Sequence, residues 1–414
     1  MKPGAVGIDD MKRLFDVACD ARIVLSGDTG QHASVVRGDA LRSLEQHSDF
    51  QSGQLTRIRR QRKAEYRKAV ELAAQKRTVE AFTQLERMGG IVESSNDNLH
   101  DKAAQSYLKA LGQNQSALLV APTWAEIEAV TEKVRAALKT SGRLTGEEKE
   151  FEVFDSLSWT EAQKRDARQY RPGMVIRFNQ SKGGFDKHET VSVVAVENDS
   201  LKVQRSDGSE SIFKVGKGFA LFASCDVGEK RKLKVAAGDK LLLQANAARK
   251  RFINGELVEV QTIQGDSIML ADGRVIPKTY RMFTHGYAVT SHAAQGKTVD
   301  EVLVVASSRS LPAVSQQQFY VSISRGRERC LVFTDDAERL RSHITHSSAR
   351  LTAVEVVPHV RRQKFILRVM QRGHRFLKNF RQRLSQSHSL RKGIEQIRET
   401  SYEHQRQPHH GIRI

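Results

Sequence analysis

Apolar positions recur along this chain in two rhythms, and the change from one to the other divides it. Met11, Leu14, Phe15 and Ala18 fall at helical spacing, which predicts an amphipathic helix over residues 9–19. Arg22-Ile-Val-Leu-Ser-Gly-Asp28 is a short apolar run ending in Gly-Asp, the pattern of a buried strand feeding a loop. Residues 63–88 read as helical and stop at Met88-Gly89-Gly90. Ala117-Leu-Leu-Val-Ala121 predicts a second buried strand. Thr123-Trp-Ala-Glu126 reads as a capping box, with Ile127, Val130, Val134 and Leu138 on one helix face behind it. Such strand–loop–helix units belong to an α/β domain.

The rhythm changes at Tyr170-Arg-Pro-Gly173. From there to about Pro277 the chain alternates in short runs split by Gly, Asn and Asp. Gly173–Phe178, Thr190–Val196 and Leu201–Val203 form one set; Gly238–Leu243, Leu257–Gln261 and Ser267–Leu270 form another. Asn254-Gly255 and Asp272-Gly273 read as hairpin turns. The expectation is one or two small antiparallel barrels, SH3-like, inserted in the α/β domain. Glu301–Ala306 and Cys330–Thr334 then resume the buried strands, with a helix near Gln316–Ile323 between them.

The 414 residues carry 67 Lys+Arg against 48 Asp+Glu, a net charge of +19, which points to a polyanionic partner such as nucleic acid. Twelve Lys/Arg against one carboxylate between Arg361 and Arg398 supply +11 of it, in a basic helical tail that either lies on phosphates or packs on a neighbour. A second basic run is Arg57-Ile-Arg-Arg-Gln-Arg-Lys63. No apolar stretch reaches the length of a membrane span, and the first residues lack the apolar run of a signal peptide, so a cytoplasmic location is expected. Three cysteines, Cys19, Cys225 and Cys330, are too few and too scattered for a disulfide framework or a CxxC metal site and read as buried thiols.

Four segments carry candidate chemistry: Leu25-Ser-Gly-Asp-Thr-Gly-Gln31, Leu55-Thr-Arg-Ile-Arg-Arg60-Gln61, Tyr287-Ala-Val-Thr-Ser-His-Ala-Ala-Gln295-Gly-Lys-Thr298 and Tyr320-Val-Ser-Ile-Ser-Arg325-Gly-Arg327. In this order, with a β insert between the second and third, they resemble motifs III, IV, V and VI of superfamily-1 DNA helicases. The RecD-like branch, and the helicase region of conjugative relaxases of the TraI/TrwC type, are the nearest in appearance. Thr160-Glu-Ala-Gln-Lys164, Tyr170-x-Pro-Gly173 and Asn254-Gly-Glu256 also look like that group, and the resemblance covers roughly residues 4–340.

The resemblance implies a RecA-like parallel sheet (the second motor domain) and a reaction in which ATP, with Mg²⁺, is hydrolysed in a cleft between two such domains. Arginine suits the charge that spreads over the γ-phosphate oxygens in the transition state. By resemblance Arg325 is the arginine finger, Arg60 a second arginine on the phosphates, and Gln31 the γ-phosphate sensor, with Gly27 and Asp28 in its loop. Gln295, Gly296 and Thr298 link to nucleotide; Thr290, Ser291 and His292 contact the DNA backbone. Single-stranded DNA, moved 5′ to 3′, is the implied partner. Arg327 and Arg329 read as surface charges, and Trp124, Trp159 and Tyr287 as rings that either stack a base or pack inside.

Gln295-Gly-Lys-Thr298 ends like a Walker A loop, but Ser291 stands where that motif needs its first Gly, so Lys297 is not read as the phosphate-loop lysine. No other GxxxxGK[ST] occurs, and no Asp-Glu pair ends a strand ahead of motif III. Gly4-Ala-Val-Gly-Ile-Asp-Asp-Met11 resembles the stretch just after Walker B. The chain is therefore expected to start within the first RecA-like domain, to lack Mg²⁺ ligands, and not to hydrolyse ATP alone; a second chain carrying the missing half is the possible partner. Expected domains are 1–50 (remnant of the first RecA-like domain), 51–170 (second domain, first part), 171–280 (β insert), 281–345 (second domain, second part) and 346–414 (tail). Residues 1–50 are expected to pack poorly or lean on another chain, since a buried-type strand with open edges is an aggregation hazard. A non-enzymatic nucleic-acid-binding or vestigial protein is the alternative.

Overall fold

A computed structural model describes residues 6–18, 21–33, 38–181, 183–215, 225–247 and 251–349. Two helices open the chain, α1 (Ile8–Val17) and α2 (Ala40–His47), followed by α3 (Ala64–Ala74) and α4 (Thr78–Arg87). The parallel-sheet part then runs β1 (Ile91–Glu93), α5 (Asn96–Gly112), β2 (Ala117–Val120), α6 (Trp124–Thr140) and, after the insert, β14 (Ala288–Val289), α8 (Ser291–Ala294), β15 (Val299–Val305), α9 (Gln316–Ile323), β16 (Gly326–Thr334) and α10 (Ala337–His343). Its five strands lie in the order β1-β16-β15-β2-β14, and every pairing is parallel.

Parallel strands need cover on both faces, which is why β2 and most of β15 and β16 are continuous apolar runs. Leu118, Val120, Val302 and Val332 pack under α3, α4, α9 and α10. Leu119, Leu303, Val305 and Phe333 pack under α5 and α6. The molecule is thus α/β with a wholly parallel sheet at its centre.

Between α6 and β14 lie β3 (Thr145–Ser156), α7 (Glu161–Lys164), β4 (Val175–Phe178), β5 (Thr190–Glu197), β6 (Ser200–Gln204), β7 (Glu210–Lys214), β8 (Cys225–Ala237), β9 (Lys240–Leu243), β10 (Leu257–Gln264), β11 (Ser267–Leu270), β12 (Val275–Ile276) and β13 (Phe283–His285). They form two antiparallel sheets, β3-β8-β4-β5-β6-β7 and β12-β11-β10-β9-β13; one apolar cluster packs β3 and part of β8 against the five-stranded sheet, and a second fills the β4-β5-β6 end of the other. The sets expected from the alternation correspond to these sheets. The insert nevertheless begins earlier than residue 171. In Glu147-Glu-Lys-Glu-Phe-Glu-Val-Phe154 the outward face is charged and the apolar rhythm is short, so β3 did not stand out by pattern.

Other local expectations are corrected. The helix over 63–88 is two helices, because Lys76 adopts φ 64° and turns the chain between α3 and α4. Residues 22–28 form no strand, and Val24 is 82% exposed; no neighbouring strand supplies hydrogen bonds there. Thr123 accepts from the Glu126 backbone N–H, but Glu126 does not reciprocate, because its carboxylate is bonded by His100 and Ser307. The reciprocal capping box occurs instead at Thr160–Gln163. Asp272-Gly273 is the β11–β12 hairpin turn, while Asn254-Gly255 is a turn inside a longer β9–β10 connection. Tyr287 is buried and donates to Asp239, so it is not a base-stacking ring. Cys225 and Cys330 are buried thiols. Cys19 and the basic tail lie outside the described residues. No helix among the described residues is long and apolar enough to cross a membrane.

Candidate functional site

The site forms where α9 ends against the loop after residue 27. At its C-terminus an α-helix exposes carbonyls that carry partial negative charge, and cations are stable there. Two arginines use this. Arg325 donates from Nε to the Val321 carbonyl at 2.8 Å and from Nη2 to Ser324 Oγ at 2.6 Å. Arg60 donates from Nη1 to the Ser324 carbonyl at 2.6 Å. Gln61 fixes the same corner, with Nε2 bonded to the carbonyls of Ser324 at 3.1 Å and Gly326 at 2.7 Å. Gly326 has no room for a side chain, since a Cβ would lie 2.5 Å from the Arg329 carbonyl and 2.6 Å from the Tyr66 hydroxyl.

Arg325 is only 2% exposed, and burial first, then the Arg60 charge, pushes its pKa down to about 10. Among the described residues neither arginine has a carboxylate at ion-pair distance. Two adjacent guanidiniums, held by carbonyls and hydroxyls alone, leave positive potential that an anion would neutralise.

The loop carrying Gln31 is attached by polar contacts. Asp28 accepts from the Gly30 N–H at 2.9 Å, from Gln31 Nε2 at 2.8 Å and from the Tyr320 hydroxyl at 2.9 Å. Burial, then the Asp28 charge, holds the Tyr320 phenol above its ordinary range. A Cβ at Gly30 would lie 3.1 Å from Asp28 Oδ1, tighter than an ordinary contact. Gln31 accepts in turn from Gln295 Nε2 at 3.1 Å. His32 is hydrogen-bonded through Nε2 to Ser291 Oγ at 2.9 Å and stacks on His292 with ring centroids 3.6 Å apart. Desolvation, then the charges of His292 and Arg325, push His32 down to about 3; desolvation also lowers His292. The stacked pair is therefore neutral at pH 7.

Hydrogen bonds and ring stacking thus link Asp28, Gln31, His32, Ser291, His292, Gln295 and Tyr320, with Arg60 and Arg325 at the end of α9 beside them. Thr290 caps α8 through the Ala293 N–H. Gly296 takes φ 88° in the turn after α8. Gly27 is exposed and Thr298 half-buried, and among the described residues no hydrogen bond ties either to the cluster. Lys297 donates to the Gly255 carbonyl at 2.5 Å, tying this turn to the insert. Sequence reasoning did not single out His32, Tyr320 or Gln61, although each lies inside or directly beside a quoted motif. Their side chains face inward, and only the fold shows what they join.

Two guanidiniums with no carboxylate at ion-pair distance among the described residues suit an anion by their chemistry. Mg²⁺ has no set of ligands here: among the described residues no group of three or more His, Cys, Asp or Glu could hold a metal, and the Asp28 carboxylate is engaged by three donors.

The frame on which comparisons with known proteins bear is a wholly parallel sheet with two arginines at the end of one of its helices. The AAA domain family matches residues 3–96, and the viral superfamily 1 RNA helicase core domain matches residues 255–334. The multifunctional conjugation protein TraI of Escherichia coli is 29% identical over 138 residues, 30% of this chain and 8% of that protein. The conjugal transfer protein TraA of Rhizobium radiobacter is 26% identical over 208 residues, 48% of this chain and 16% of that protein. The matched regions thus span under a fifth of these relatives. Among solved structures, Pif1 helicase from Candida albicans overlaps 84% of this chain and 73% of its own at 13% identity and TM-score 0.35. Bacteroides Pif1 bound to ssDNA overlaps 90% and 75% at 14% identity and TM-score 0.32. The chain resembles superfamily-1 helicases and, among them, the helicase regions of conjugative relaxases. That family resemblance implies ATP and Mg²⁺ as cofactors and DNA as partner.

Proposed function

We propose that this chain is the C-terminal motor part of an ATP-dependent DNA helicase that translocates on single-stranded DNA in conjugative transfer or related DNA processing, 5′ to 3′ by its resemblance to the RecD-like branch. The observation that carries the proposal is the attachment of the Gln31 loop to α9, at whose end Arg60 and Arg325 stand with no carboxylate pairing them among the described residues. Arg325 neutralises charge developing on the γ-phosphate oxygens, and Arg60 holds the same phosphates. Gln31 senses the γ-phosphate, and its loop passes that state through His32 to Ser291 and His292, which with Thr290 contact the DNA backbone. In domain terms, residues 1–50 belong to the first RecA-like domain, 51–170 and 281–345 to the second, with the β-rich region inserted.

These 414 residues contain no GxxxxGK[ST], so the phosphate-gripping lysine and the metal ligands must come from another segment or chain, and this chain alone does not turn over ATP. The test mixes it with a chain carrying a phosphate loop and Walker B carboxylates from a TraI-like protein and measures ATP hydrolysis with and without single-stranded DNA. Hydrolysis that requires both chains and rises with DNA supports the reading. Single-strand binding with no hydrolysis in any mixture favours the non-enzymatic alternative, which the net charge of +19 would also serve.

A further inference from the structure

Trp124 is unusual among the large apolar residues of the parallel-sheet part: it is the first residue of α6 and stands 51% exposed. The other tryptophan, Trp159, packs edge-on against Tyr170 with ring centroids 5.0 Å apart. Register explains where Trp124 stands. Val120 of β2 is paired with Val289 of β14 on one side and with Val304 of β15 on the other, so these three strands end side by side. Thr290 and His292 follow the first strand, Thr123 and Trp124 the second, and Arg309 the third. Adjacent strands lie about 4.8 Å apart, so these residues line a stretch of roughly 10 Å on one edge of the sheet.

The helix after β2, α6, covers one face of the sheet, whereas α9 after β15 covers the other. Where successive connections leave on opposite faces, the ends of a parallel sheet leave a crevice that takes ligands. Charge along this edge suits a polyanion. Arg309 is exposed and has no ion pair among the described residues. The nearby carboxylates are hydrogen-bonded: Glu126 by His100 and Ser307, Glu128 by Arg231, and Asp335 by the N–H and hydroxyl of Ser308.

We propose that Trp124 and Arg309 form a further single-stranded DNA subsite, in which the indole stacks on a base beyond the backbone contacts of Thr290 and His292 and the guanidinium takes a phosphate. The proposal rests on the single-strand reading above and adds the residues that extend the track across β2 and β15. An indole face accepts any base, so the subsite adds affinity with little sequence preference.

The test uses the full chain, a fluorescein-labelled oligo(dT) of about 12 nucleotides, and two readouts, anisotropy and tryptophan emission. A stacked indole is quenched, so the expected result is quenching that Trp159→Phe retains and Trp124→Phe removes. Trp124→Ala should weaken binding about tenfold with an unchanged melting temperature. Arg309→Ala should reduce the log–log salt slope by about 0.7 while leaving the quench in place. If the unmodified chain does not bind the oligonucleotide, the single-strand reading fails and the subsite with it. If it binds, and Trp124→Ala binds as tightly or Trp124→Phe leaves the quench intact, the subsite alone is overturned.

Discussion

Two parts of the molecule meet at the site and are held there by different forces. The part from Gln61 to Ile344 has apolar cores on both faces of the parallel sheet, and Arg325 is fixed at the end of α9 by the Val321 carbonyl and Ser324 Oγ. The part before residue 56 has a small cluster of Val6, Met11 and Ala40, with Phe15, Leu25 and Leu44 against it. It leaves Val24, Phe50 and Leu55 exposed, Leu55 at 99%. Gln31 belongs to the weakly packed part, and its position depends on Asp28, Tyr320, His32 and Gln295. A loop attached by a few hydrogen bonds opens more readily than a core-packed element, and the proposed role of Gln31 would use that freedom.

The contrast can be sharpened first where packing is tightest. Asp239 is fully buried, accepts two hydrogen bonds from Arg135 and one from Tyr287, and so joins the insert to α6. Asp239→Ala would leave the Arg135 guanidinium with Glu148 alone and should cost about 2–3 kcal/mol in urea unfolding, without changing the order of the loop around Gln31. An effect under about 1 kcal/mol would show that the insert is joined by other contacts.

A middle-sized effect is expected from pH. His32 titrates near 3 in the fold against an ordinary 6.5, so the unfolded or undocked state binds the extra proton between those values. Docking of the loop is therefore fully present above pH 6.5 and is lost as pH falls toward 3, with a limiting slope of about 1.4 kcal/mol per pH unit. His285, lowered to about 4 by burial, contributes a similar slope to global unfolding, so the informative quantity is the difference between the unmodified chain and His32→Phe. Hydrogen exchange of residues 27–33 should quicken from pH 6 to 4.5 only in the former, after correction for intrinsic exchange. Equal behaviour of both would remove His32 from the loop's attachment.

The smallest effect tests the Asp28–Tyr320 bond. Tyr320→Phe should loosen the loop by about 1 kcal/mol, read as roughly fivefold faster exchange at residues 28–32, with the melting temperature of the parallel-sheet part unchanged. A drop in that melting temperature would mean that the two parts unfold together.

Legibility in the sequence follows the same division. Ala117–Val120 and residues 302–305 of β15, buried on both faces, show as uninterrupted apolar runs, and the helix at Gln316–Ile323 lies between β15 and β16 as the spacing predicts. The run Ile23–Leu25 looks equally like a buried strand, but pattern cannot supply the neighbouring strands that would bury it. Arg60 and Arg325 are 265 positions apart, and only the order of motifs suggests that they meet. His32 shows why part of the site stays hidden: nothing local marks a histidine whose partners, Ser291 and His292, are some 260 residues away.

The most direct test is the turnover of the two-chain ATPase with Arg325 replaced. With saturating single-stranded DNA, Arg325→Ala should lower kcat about a thousandfold while the affinity for DNA and the melting temperature stay close to those of the unmodified chain. Arg327→Ala, two residues further on in β16 and paired with Asp300, should be nearly silent. A reconstituted enzyme in which Arg325→Ala turns over as fast as the unmodified chain would contradict the assignment of this site to the γ-phosphate.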